Sequence, residues 1–446
     1  MNQEEKFIYM TQTPIPRLVT SLAAPTIVSM LITSFYNMAD TFFVGKINTS
    51  ATAAVGVVFS LMALIQAVGF FCGHGSGNYI SRKLGEKQIE DASKMAATGF
   101  FLALFLGCAI MILGLVFLEP LAYLLGSTDT ILPYAKEYLR IILLGAPYMT
   151  ASLVLNNQMR FQGSAAYAML GIVSGAVLNI GLDPLFIFVF DMGVSGAALA
   201  TIISQLVGFL LLLIGIKKSG NLKIRWKNFS FNQYYLEQIF QGGIPSLCRQ
   251  GLASVSAVVL NHAAGGFGDA AIAGMSIVSR VSMFANSALI GFGQGFQPVC
   301  GFNYGAKLYH RVREAFWFCV KYAVIFLVLV SAIGIVFAPQ TIALFRKDDI
   351  EVIEIGTYAM RMVWFTFPLG AWIVLCNMLL QSCGKALSAS ILSSARQGLF
   401  FIPILLITSY AMGLRGIQMS QSIADICTFI LAIPLTVRFL KEIKQE

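Results

Sequence analysis

Asp40, Asn179, Asp183 and Thr201 are the side chains in this sequence whose types and spacing could do chemistry together, because each lies inside a long apolar run. An ionisable group in a membrane segment costs roughly 2.5–3.5 kcal/mol on insertion scales, so Asp40 and Asp183 read as functional by default. Asn179 and Asp183 are four residues apart and share a helix face, as do Tyr36 and Asp40. Counted from the polar residues that end their spans, Asp40, Asp183 and Thr201 lie roughly 9, 12 and 9 Å below the outer surface, with Asn179 about 6 Å deeper. Carboxylate, amide and hydroxyl oxygens suit a hard cation such as sodium. Two neighbouring carboxylates in an apolar setting could equally share a proton, and the residue types do not choose between the two ions. Taken singly, Asp40 would also serve as an interfacial cap and Asp183 as the residue before a break at Pro184. The convergence of four polar groups on three helices favours a site.

The elements that must position them are transmembrane helices. Hydrophobic residues make up 57% of the chain, charged residues 11%, and the mean hydropathy is +0.77. Repeated apolar runs of 18 or more residues are too long for core strands or ordinary buried helices, which predicts an all-α polytopic membrane protein. Twelve spans are expected, near 16–44, 52–80, 94–118, 134–158, 165–190, 195–216, 238–262, 270–301, 314–338, 355–381, 387–412 and 416–438. The polar first 17 residues and a first run of spanning length predict no cleaved leader.

Basic residues fall in alternate connections. The N-terminus, the 81–94 loop, Arg160, the 217–237 linker, Lys307–Arg313, Lys385 and the tail hold nineteen, against Lys46, Arg346, Lys347 and Arg415 on the other side. The positive-inside rule therefore places both termini and the linker in the cytoplasm, and it makes the net charge of +9 a topology signal rather than a nucleic-acid footprint. The eight cysteines lie in or at the ends of apolar segments without CxxC or Cys/His spacing, so no metal site beyond a possible sodium ion and no cofactor is expected.

The linker divides the chain into 1–216, 217–237 and 238–446, six spans on either side. The halves repeat at an offset of about 220 residues. Pro25 matches Pro245, Pro120 matches Pro339, and Gly73/Gly75/Gly77 match Gly291/Gly293/Gly295. Tyr138, Pro147 and Gly163 match Tyr358, Pro368 and Gly384. The glycine runs lie inside apolar spans, where close helix packing is their expected role. An even number of spans per repeat makes the repeat parallel, with a substrate cavity between halves and alternating access to it. The halves differ at the acids. Asp40 falls opposite Leu260 and Asp183 opposite the Ile402–Pro403 region, while Asp425 is the second half's one acid well inside a span. Arg249, Arg280, Arg361 and Arg396 fall within or beside spans, as candidates for lipid headgroups or for Asp425.

Several stretches resemble the multidrug and toxic compound extrusion family. These are Pro25 with Asn37-Met-Ala-Asp40-Thr41-Phe-Phe-Val-Gly45, Asn156 to Gly163, Asn179-Ile-Gly-Leu-Asp183-Pro184, Gly193 to Thr201, and Gly293-Gln-Gly-Phe-Gln-Pro298 with Gly301 to Ala306. The resemblance covers nearly the whole chain and is nearest to the DinF-like and MepA-like branches. It implies twelve helices in two pseudo-symmetric six-helix bundles around a central cleft. It also implies a multidrug antiporter of the bacterial or archaeal inner membrane, driven by protons or sodium.

By resemblance the cation site is Asp40, Asn179, Asp183 and Thr201, while Tyr36, Asn37, Asn156 and Asn157 belong to the cavity and Pro25 permits bending of span 1. The acids that a NorM-like branch adds on spans 7 and 10 are absent here. The expected partners are small amphipathic, cationic drug-like compounds and membrane lipids, with no nucleic acid, around a monomer. The runner-up is a flippase or exporter of a lipid-linked or endogenous amphiphile. An intramembrane enzyme is disfavoured, since HExxH, GxSxG and clustered Cys/His are lacking.

Overall fold

In a bilayer every backbone polar group must be satisfied within the protein, so long apolar runs fold as helices whose ends fall at glycine, proline and polar residues. The computed structural model describes residues 3–445 except 48, 220–221 and 346–348, with side chains at 41, 45, 49–53, 57 and 445 left aside. Arg346 and Lys347 therefore lie outside the described residues.

A short helix α1 (Gln3–Gln12) precedes the spans α2 (Ile15–Gly45), α3 (Thr49–Gly85) and α4 (Ile89–Val116). Next come a short α5 (Leu118–Leu124), then α6 (Leu132–Phe161), α7 (Ala165–Pro184) with a π-helical turn over Leu185–Val189, and α8 (Gly193–Ser219). The second half repeats this order: α9 (Gln233–Gly265), α10 (Asp269–Gly305), α11 (Tyr309–Val336) and a short α12 (Ala338–Phe345). The pair α13 (Ile350–Thr366) and α14 (Leu369–Ser382) follows. The chain closes with α15 (Ala386–Ser394), a π turn over Ala395–Leu399, α16 (Phe401–Met412) and α17 (Leu414–Gln445). Among the described residues eleven spans are single, and α13–α14 make the twelfth, bent by 54°.

The repeat extends to the backbone. Gly163 and Gly384 hold the turns after α6 and α14 at φ +79° and +82°, and Lys87 and Lys307 turn the chain at φ 60° after α3 and α10. It fails at Pro368. There the missing N–H and ring clash break the helix, whereas α6 runs unbroken through Pro147. Pro25 also sits inside a continuous helix, and the neighbouring Thr26 hydroxyl has the Gly291 carbonyl as its nearest acceptor (2.6 Å), with α2's own Ala23 and Leu22 carbonyls as alternatives at 2.8 and 3.1 Å.

The halves meet on the linker side. Gly75 packs against the Ile239 carbonyl and Gly295 against the Ala23 backbone, while Gly85 and Gly305 form a reciprocal pair against Phe302 and Arg82. Small residues there let backbones touch, as expected for membrane interfaces. Ala23, Ile27, Ser34 and Met38 fall on one stripe of α2 at helical spacing. The first two meet α10, and Ser34 hydrogen-bonds Ser287 at 2.7 Å, whereas Met38 is 50% exposed. On α10 the same stripe runs Gly295, Gly291, Ser287, Phe284, Arg280, and its last two residues are exposed. The contact thus opens into a cleft on the side away from the linker.

Helix α1 lies across the closed side. Asn303 donates to the Met10 carbonyl (3.1 Å) and Arg311 to the Thr13 carbonyl (2.6 Å), both from the second half. Lys6 is buried and donates to Ser164 of the first half at 2.5 Å. Burial pushes the Lys6 ammonium down from 10.5 to about 8. The docked helix then binds fewer protons than the free one between those values, so docking strengthens as pH rises through that window and is weakest below about pH 8. Chymotryptic cleavage around Phe7–Tyr9 is expected to slow several-fold from about pH 7 to about pH 10. The Lys6→Met variant is expected to be slow at both values, and an unchanged rate in the native chain would refute the assignment.

Candidate cation site

Asp40, Asn179, Asp183 and Thr201 come together in the first half, from α2, α7 and α8. Helix α7 ends at Pro184, whose ring forces the π turn that follows, so Asp183 stands at the last position of a regular helix. Asn179, Asp183 and Thr201 are all buried. The Asn179 amide satisfies its neighbours when its nitrogen donates to Asp183 Oδ2 (3.1 Å) and its oxygen accepts from the Thr201 N–H (3.3 Å). The Thr201 hydroxyl donates to the Ala197 carbonyl at 3.0 Å.

Asp40 is half-buried, and its carboxyl faces that of Asp183 within hydrogen-bonding reach. Yet, among the described residues, Oδ1 of each is buried with no donor. Two facing acceptors without a hydrogen between them call for a positive charge, either a proton or a metal cation. Among the described residues no group of three His, Cys, Asp or Glu side chains is placed to hold a metal ion, so the remaining ligands here are amide, hydroxyl and carbonyl oxygens.

Tyr36 is buried beside both acids and meets Gln205, which places it at the cation site rather than on the open cleft. Asn37 is half-buried on the next position of α2. Asn156 and Asn157, expected at the cavity, turn inward instead. Asn156 donates to the Ala168 carbonyl (3.0 Å), and Asn157 is fully buried, donating to the Leu153 carbonyl (2.7 Å) and accepting from Arg160. Their amides are satisfied inside the bundle, which is why they do not line the cleft.

Two further residues belong to this cluster: Tyr138, whose phenol meets the Thr201 hydroxyl, and Gln205, which meets Tyr36. Gln205 lies four residues after Thr201 on the same face of an apolar helix, and that spacing was the available signal.

The second half resolves the equivalent place differently. Gln205 corresponds to Asp425 at the repeat offset, and Asp425 is buried against Arg396 (Nε to Oδ1, 2.9 Å) with Gln421 donating at 3.0 Å. That acid already has a fixed guanidinium, whereas the first-half pair has none.

The same twofold order is found in known proteins. The family model MatE matches residues 25–185 and 245–407, one segment in each half. The chain belongs to the MatE family. It is a multi-pass membrane transporter, not an enzyme, and it shares the family's all-helical twelve-span fold. This MatE protein is 28% identical over 444 residues to a protein named "Multidrug export protein MepA" from Staphylococcus aureus, covering 99% of the chain and 97% of the relative. It is also similar to two solved structures at 26% identity. One, a MATE in complex with MaL6, superposes at TM-score 0.93 over 99% of each chain. The other, described as the outward-facing conformation of a multidrug resistance MATE family transporter of the MOP superfamily, superposes at 0.92 over 98% of this chain and 99% of that one.

Proposed function

We propose that this MatE transporter is a cation-coupled antiporter that exports amphipathic, drug-like compounds across the cytoplasmic membrane. The observation that carries the reading is the pair of facing carboxyls, Asp40 and Asp183, each with a buried Oδ1 that has no donor among the described residues, beside Asn179 and Thr201. A cleft open away from the linker and relatives named for multidrug export support it. The excess of basic residues on the linker side orients that closed side to the cytoplasm, with both termini inside. A single chain supplies both halves and the whole site, so a monomer suffices.

A proton or sodium ion entering from outside joins Asp40 on α2 to Asp183 on α7. Antiport requires that ion to bind the two conformations with unequal affinity, and a site divided between separate helices provides the inequality. The stripe of α2 that carries Ala23, Ile27 and Ser34 forms the seam with α10, so a shift of α2 at the cation site is felt at the seam.

The test is ethidium efflux from proteoliposomes under a sodium gradient, a pH gradient, both, or neither. Efflux driven by at least one inward cation gradient is expected, and the effective gradient names the coupling ion. Efflux independent of both would overturn the antiport reading.

A further inference from the structure

The floor of the cleft is positive, and among the described residues no carboxylate answers it. On α9 the stripe Ile239, Gly242, Ser246 meets the first half, ending at the Ser246–His74 hydrogen bond (3.1 Å). Arg249 is the next residue on that stripe, one turn farther toward the open side, and is half-buried. Among the described residues it hydrogen-bonds one partner, its Nη1 donating to Asn377 Oδ1 at 3.4 Å.

Beneath it lies Arg160, 2% exposed. Arg160 donates to Gln294 Oε1 across the seam and to Asn157 Oδ1 at 2.5 Å, and faces His74 Nε2 at 3.2 Å, while its Nε has no acceptor. The two guanidinium groups are near enough to repel one another. Among the described residues neither lies within ion-pair distance of an acid, in contrast to Arg396 with Asp425.

Removing charges from water is costly unless an opposite charge compensates, and neutral amides offset only part of that cost. A planar guanidinium facing a cleft is the side chain best shaped to take an oxyanion through two parallel hydrogen bonds. We propose that Arg249, backed by Arg160, is a binding site for an acidic group (carboxylate, sulfonate or phosphate) carried on the apolar body of a transported amphiphile. Met38 and Phe284 on the facing walls offer that body an apolar contact. The ligand class deepens the export reading and rests on it. It also widens it, because the exported compounds then include zwitterions and anions. Arg249 and the Asp40–Asp183 pair stand in opposite halves, so substrate and coupling cation do not compete for one charge.

The probe is a pair of dyes, rhodamine B with a free carboxylate and its ethyl ester without one, bound to the purified full-length protein and read by fluorescence polarisation. The native chain is expected to bind the free acid about tenfold more tightly than the ester. Arg249→Gln is expected to bring the ratio to about one, and Arg249→Lys to keep it above one. The lysine variant tests the charge even if Arg249→Gln fails to fold.

Competition by a short-chain phosphatidylglycerol but not by the matching phosphatidylcholine would identify a lipid headgroup as the source of the acid. Competition by neither would identify a soluble amphiphile. A native ratio of one or less, or a ratio unchanged in Arg249→Gln, overturns the proposal while leaving the export reading standing. Binding of neither dye by the native chain overturns both.

Discussion

Asp183→Asn is expected to abolish gradient-driven efflux, lowering the dye efflux rate by about a hundredfold or more, while leaving a folded protein. The argument rests on where the carboxyl stands. Asp183 is fully buried, one oxygen accepts from Asn179, and the other faces Asp40 with no donor. An asparagine fits the same space and supplies an amide hydrogen to Asp40. The pair is then satisfied permanently, as if the ion never left, and a site whose occupancy no longer changes cannot couple a gradient to a conformation. The substitution also removes a charge from a buried place, so the melting temperature should stay level or rise. Asp40→Asn is expected to uncouple transport similarly, because it deletes the other half of the pair. Dye efflux in proteoliposomes under imposed gradients measures both, and a native rate in either variant would rule out the pair as the coupling site.

Gly295→Val is expected to prevent closure of the linker side. A Cβ at Gly295 would stand 2.3 Å from the Ala23 Cα, a contact with backbone that no rotamer change relieves. The clash exists only while α2 and α10 touch, so the variant should populate states in which the halves are parted there. The buried native thiols of Cys300, five residues along α10 from Gly295, and of Cys383, next to the Ser382 carbonyl that accepts from Arg82 of the first half, report the change. Their labelling by a soluble maleimide should accelerate about tenfold, and efflux should fall by a similar factor. Gly251→Ala is the matched control, since a Cβ there meets nothing within 4 Å. Unchanged labelling in Gly295→Val would mean that the seam is not the gate.

Much of this was legible in one sequence because membrane physics leaves few choices. A bilayer admits only closed hydrogen-bonding elements, so apolar runs of spanning length had to be helices. A charge inside such a run is costly enough that Asp40, Asp183 and Asp425 stood out without any alignment. The i,i+4 spacing of Asn179 and Asp183 placed them on one face, and they meet as that spacing requires. The parallel repeat was written in paired prolines and glycines, and the turns at Gly163 and Gly384 carry it into the backbone.

What only the tertiary structure decided is which surfaces face one another. Spacing within a helix sets the angle between its own side chains, but not which neighbour each stripe meets. Hence Asn156 and Asn157, polar and well placed in sequence, turn into the bundle and leave the cleft to others. Paired prolines likewise did not foretell that Pro368 breaks its span while Pro147 does not, because packing from other helices decides whether a kink is straightened. The same holds for the two acids that differ most between the halves. Both Asp183 and Asp425 read as buried charges, yet Asp425 has the Arg396 cation beside it, whereas Asp183 faces another carboxyl. The composition of a helix determines that a charge must be answered. The fold determines whether the answer is built in or must arrive from solution.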